Sequence, residues 1–132
     1  MFRRLSFLFF LFFFHSCINL NDLKNEVVKE RTDYEGIKNC ILFIKSGGAT
    51  VGDSYQISIV PYQDKLKDSD TGNIFIADDH DGSISSDTSR INFEWLSFDT
   101  LKVSFDKRLR VFKMITETKD AKIIYDSLSL TK

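Results

Sequence analysis

The sequence predicts an all-β protein, a small antiparallel sandwich or barrel of about seven short strands, preceded by a signal helix and a tether. Three observations carry this. Apolar residues alternate with polar ones in several short runs, as on strands with one buried face. The single Pro and most of the six Gly fall between those runs, where turns belong. With the N-terminal region set aside, the 132-residue chain is long enough for one small core and no second.

The elements follow in order. Arg3 and Arg4 precede an apolar run from Leu5 to Phe14, broken only by Ser6. A basic start, a short apolar stretch and the small residue Ser16 describe a secretory signal peptide over residues 1–16. Crossing a bilayer takes about 20 apolar residues, so this run is half the length needed to span. Seven of the thirteen Phe lie at or before Phe14 and inflate the aromatic content. Residues 17–36 are polar and charged with scattered Leu and Val, and read as a tether lifting the domain off its anchor.

The single domain is expected over residues 37–132. Ile37 to Lys45 is rich in β-formers. Ser54 to Val60 alternates Tyr55, Ile57 and Ile59 with polar residues, and Pro61 stops it because proline cannot donate to a ladder. Asn73 to Ala77 is short. Ile91, Phe93 and Trp95 alternate, as do Leu101, Val103 and Phe105. Leu109 to Ile115 and Lys122 to Tyr125 complete the seven. Two connections are long, Tyr62 to Gly72 and the acidic Asp78 to Arg90, and such loops are often binding loops or mobile.

Charge bounds the function. Cleavage after Ser16 leaves 16 Lys and Arg against 19 Asp and Glu, a formal charge of −3. A mildly acidic chain gives no reason to expect nucleic acid as a partner. Two Cys without Cys-x-x-Cys or Cys/His clustering disfavour structural zinc, and no cofactor is implied.

Gly47 to Ser54 has the spacing of a P-loop, but Asp53 stands where a lysine must meet phosphate and a strand follows instead of a helix. A hairpin connection fits better. Asp78, Asp79 and Asp81 ahead of Gly82 form a candidate calcium loop. With Gly82 as the sixth loop position, Ala77 and Thr88 occupy the first and twelfth, where Asp and Glu belong, so an EF-hand is excluded. His80, in the same loop, and Trp95, as an aromatic platform, are candidate binding residues. The alternation with Ile91 and Phe93 places Trp95 in the core instead. His80 is the one histidine left after processing, and no triad can be composed around it from sequence. The protein is therefore expected not to be an enzyme.

Phe14-His15-Ser16-Cys17 resembles the lipobox of bacterial lipoproteins, cut before an invariant cysteine. Phe14 and His15 differ from the usual leucine and small residue. The resemblance implies cleavage between Ser16 and Cys17 and lipidation of Cys17 with a diacylglyceryl thioether and an acylated amino group carrying palmitate-type chains. It also implies a place in the bacterial cell envelope, facing periplasm or exterior, with membrane lipid as one partner. Several chains anchor stably where one is marginal. Cys40 is then a lone thiol in an apolar run. The other reading is a soluble secreted protein with a Cys17–Cys40 disulfide.

Ser46 to Thr50, Ser54-Tyr55 with Ile57 and Ile59, Gly72-Asn73-Ile74-Phe75 and Trp95 to Leu101 are similar to small uncharacterised bacterial β-domains, often membrane-anchored. That likeness implies a recurrent domain and no particular activity. The expected function is a membrane-tethered binding or interaction module for a protein or glycan ligand. An inhibitor or immunity-type lipoprotein acting on a hydrolase or toxin is the alternative.

Overall fold

The computed structural model describes residues 24–47, 52–79 and 88–129. Eight strands form two sheets: β1 (Asn25–Thr32), β2 (Lys38–Lys45), β3 (Ser54–Pro61), β4 (Phe75–Asp78), β5 (Ile91–Trp95), β6 (Thr100–Asp106), β7 (Arg110–Met114) and β8 (Lys122–Leu128). The larger sheet has the order β1-β2-β3-β4-β7 and the smaller β5-β6-β8. The all-β expectation holds, and each of the seven anticipated runs contains a strand.

Two expectations need correction. The tether of residues 17–36 was to be a spacer, yet Asn25–Thr32 is β1, paired antiparallel with β2 from Asn25↔Lys45 to Thr32↔Asn39. The charged residues Glu26, Lys29, Glu30 and Arg31 disguised it, and charge is how edge strands resist unwanted pairing. The folded unit therefore includes Asn25–Thr32 and has eight strands among the described residues. The pairing is also not purely antiparallel: β8 runs parallel to β6, Thr100↔Lys122 through Asp106↔Leu128.

The core lies between the sheets. Cys40, Leu42, Tyr55, Ile57, Phe75 and Ala77 face Ile91, Phe93, Trp95, Leu101, Val103 and Ile123. Cys40 is a free, fully buried thiol, and burial pushes it well above the ordinary thiol range. Phe75, Phe105 and Tyr125 pack as an aromatic cluster, with the Phe75 and Phe105 centroids 5.2 Å apart.

Side chains close one seam between the sheets, and side-chain and backbone bonds together close the other. At β1 and β5, Lys29 Nζ donates to Asn92 Oδ1 and, at 2.7 Å, to the Phe93 carbonyl. Trp95 Nε1 donates to Arg31 O (3.1 Å) and Tyr34 Oη to Trp95 O (3.1 Å). On the other side, Ile123 N donates to Thr116 O, and the Tyr125 hydroxyl donates toward Ile74 O and Ile115 O. The five-stranded sheet still overhangs the three-stranded one. Val111 pairs with Ala77 and Met114 with Phe75, both core residues, yet Val111 is 36% and Met114 49% exposed.

The connection after Pro61 covers the outer face of the larger sheet. Asn25 Nδ2 donates to Lys67 O and Asp70 O, and Lys45 Nζ to Asp70 O. Phe43, on the face opposite Leu42, is fully buried. The return into β4 is built by side chains. Gly72 N donates to the buried Gln56 Oε1 at 2.6 Å. Asn73 extends the β3 ladder with its carboxamide, accepting from Ile59 N and donating to Ile59 O. A Cβ on Gly72 would stand 2.6 Å from Phe75 O and 3.0 Å from Gln56 Cβ. Gly72→Ala is expected to destabilise by about 1–3 kcal/mol through forced backbone movement, measured by denaturant melts against Gly52→Ala, whose nearest obstacle is a movable Asp79 oxygen at 3.1 Å.

One buried ion cluster pins the β6–β7 turn. Asp106 is fully buried and accepts from Arg108 Nε, Nη2 and backbone N, and from Arg90 Nη1 at 2.7 Å. The Arg108 bonds lead in holding its carboxyl well below the usual carboxylate range, against the opposing effect of burial. A depressed folded-state value contributes stability above the unfolded value near 3.9, lost as pH falls toward the folded one. Asp106→Asn is expected to cost about 3 kcal/mol at neutral pH, because two guanidinium groups lose their counter-charge. The gap to wild type should narrow below about pH 4, as seen in melts across a pH series.

Candidate functional site

The two ends of the sandwich differ. One end carries the row Asn25, Lys45, Ser54, Asp78 and Arg110, joined through the registers of β1, β2, β3, β4 and β7. The described chain enters the fold here, at Asn25. The other end carries the β1–β2 and β5–β6 turns. Eight residues of strand separate the ends by about 25 Å.

The far end is built by two tight turns. Asp33, 6% exposed, accepts from Ile37 N (2.8 Å) and Lys38 N (3.3 Å), and its carboxylate meets Lys38 Nζ at 3.3 Å. Burial raises the Asp33 carboxyl, but these donors outweigh it and leave it below its ordinary value. Gly36, at φ +72°, supplies the left-handed step that lets the chain return as β2. In the β5–β6 turn, Asp99 Oδ1 accepts from Ser97 Oγ and Thr100 Oγ1. Lys38 Nζ ties the two turns, donating to Phe98 O (2.8 Å) and Asp120 O (3.1 Å).

These bonds consume the polar groups of the turns and leave apolar side chains outward. Tyr34 is 73%, Ile37 58% and Phe98 50% exposed. Ile37, Ile59, Val60, Pro61 and Phe98 line a groove of about 330 Å³, with Glu35 and Asp120 among its other residues. That volume is at the lower bound for small-ligand pockets, and the groove is open. It suits a side chain or two of a larger partner better than an engulfed small molecule.

A second hollow, about 440 Å³, lies at the entry end on the outer face of the larger sheet. Ile76 and the 61%-exposed Phe112 line it beside Arg110 and Asp78. Arg110 Nε and Nη2 grip both Asp78 oxygens at 3.1 and 2.6 Å, and the guanidinium lies 5.3 Å from the Phe112 centroid.

The sequence-derived candidates fare differently. Trp95 as a binding platform is corrected: at 7% exposure its ring lies in the core and has no free face for a ligand. Asp78 spends both oxygens on Arg110, and Asp79 is packed against Gly52, so neither faces an open cation site. Asp81, His80, Ser16 and Cys17 lie outside the described residues. Among the described residues no group of three His, Cys, Asp or Glu could hold a metal ion. The basic run Lys107, Arg108 and Arg110 is not a free patch, since Arg108 serves Asp106 and Arg110 serves Asp78.

Sequence reasoning missed the groove, although its signal was present: Tyr34, Ile37, Tyr62 and Phe98 are apolar residues placed in or beside polar turns. No protein-family model matches the chain, no curated protein is similar to it in sequence, and no solved structure is similar to it in fold.

The Asp78–Arg110 fork generates a test. Millimolar calcium and chelator are expected to give the same melting temperature, because a cation would have to displace a bidentate guanidinium. A rise with calcium that Asp78→Asn abolishes would show the opposite.

Proposed function

We propose that the chain is a lipid-anchored, extracytoplasmic binding module without enzymatic activity. The observation that carries this reading is the division of labour between the ends. The chain enters at Asn25, where Phe112 is exposed beside the paired Arg110 and Asp78, whereas Tyr34, Ile37 and Phe98 are exposed together at the far end. Seven residues lie between Cys17 and Asn25, and the eight steps reach at most about 28 Å. A domain held this way stands close to the membrane and turns its apolar end to the surrounding space.

The acids support a role without catalysis. Asp33 and Asp106 are buried, but backbone N–H groups and the cations Lys38, Arg90 and Arg108 hold both carboxyls low. A general acid needs a raised value near working pH.

The anchor is tested by membrane fractionation and intact mass. Wild type is expected in the membrane fraction with the added mass of a diacylglyceryl group, and Cys17→Ser in the soluble fraction without it. A soluble, unmodified wild type would remove the anchor from the proposal.

A further inference from the structure

We propose that the far-end groove binds a protein segment in which an apolar anchor side chain is flanked by Lys or Arg. The inference rests on the binding-module reading and names the partner chemistry of that module.

The groove has an apolar floor and an acidic rim. Ile37, Ile59, Pro61 and Phe98 supply the floor. Its three charged residues are Glu35, Lys38 and Asp120. Lys38 does not offset the acids at the rim. Its side chain is only 11% exposed, and its ammonium pairs with the fully buried Asp33 carboxylate and donates to two carbonyls. Glu35 and Asp120 are exposed, and neither forms an ion pair among the described residues. The groove thus presents two uncompensated negative charges around an unfilled apolar surface.

That pattern selects among partners. An acidic partner would bring like charge to the rim, which costs affinity and slows encounter. The negative surface of a bilayer is repelled for the same reason, and the groove lies at the end away from the chain's entry. A sugar would need polar groups in the floor as well as the rim, and the side chains of the floor, Ile37, Ile59, Pro61 and Phe98, offer none. A basic-flanked apolar side chain satisfies both parts. It removes Ile37 and Phe98 from water and places its cations against Glu35 and Asp120.

Selection from a random dodecapeptide library on the full-length lipidated protein in detergent tests this. Enriched peptides should carry a large apolar residue next to Lys or Arg, and their affinity should fall as salt rises. Phe98→Ser should lower that affinity at least tenfold, and so should the double change Glu35→Lys with Asp120→Lys. All three positions are exposed, so unaltered melting curves are expected and separate lost binding from lost folding. Enriched peptides that are acidic, or indifferent to these changes, would overturn the groove assignment. Peptides protecting Phe112 and Arg110 from exchange instead would overturn it and leave a binding module with another face. No enrichment at all would count against the module reading itself.

Discussion

The fold depends on joining two sheets of unequal width where no backbone ladder connects them. At the β1–β5 seam the join is made by side chains that reach main-chain carbonyls: Lys29 to Phe93, Trp95 to Arg31 and Tyr34 to Trp95. Each neutral bond contributes about 1 kcal/mol net, and a bond from an ammonium somewhat more. Their importance is greater than that sum, because they seat Phe93 and Trp95 in the core and fix β1 above them. Lys29 accepts partial burial to do this, which lowers its ammonium below the ordinary lysine range, with Arg31 adding to the effect. It also lies 4.7 Å from the Phe93 centroid, so the charge is partly met by the ring.

The same economy of backbone pairing runs through the rest of the molecule. Asn73 replaces a strand residue with its carboxamide, Gln56 receives Gly72 N, and Asp106 organises the β6–β7 turn from beneath. Gln56, Asn73 and Asp106 thereby give partners to backbone groups that no ladder serves, as a low-dielectric interior demands. The polar atoms of the far-end turns are used up in the same way, through Asp33, Lys38 and Asp99. What those turns show to solvent is therefore apolar surface and two acids, an unusual face for loop tips.

Strands with strict alternation were legible in the sequence. Ser54–Pro61, Ile91–Trp95 and Thr100–Asp106 each put residues of a single parity into the core, and their polar partners point away. Trp95 was legible as core for that reason. β1 was not, because only Val28 packs against the core and the remaining side chains read as a solvated spacer. The parallel β6–β8 pair was not legible either, since side-chain periodicity says nothing about which strand lies alongside or in which direction. The Arg90–Asp106–Arg108 cluster joins groups from separate turns, and only tertiary structure brings Arg90 to the other two. The groove was half legible: its apolar residues stand out among polar neighbours, but their convergence depends on two turns meeting through Lys38.

The parallel strand β8 has a consequence for when the chain can fold. β6 is the middle strand of the smaller sheet, with β5 on one side and β8 on the other. Until β8 arrives, Leu101 and Val103 sit in a lone hairpin, and an isolated hairpin is marginal in water. The last strand in the chain thus completes the layer against which the first strands pack. Without residues 122–128, β6 keeps an unpaired edge and Leu101, Val103 and Phe105 lose the strand beside them.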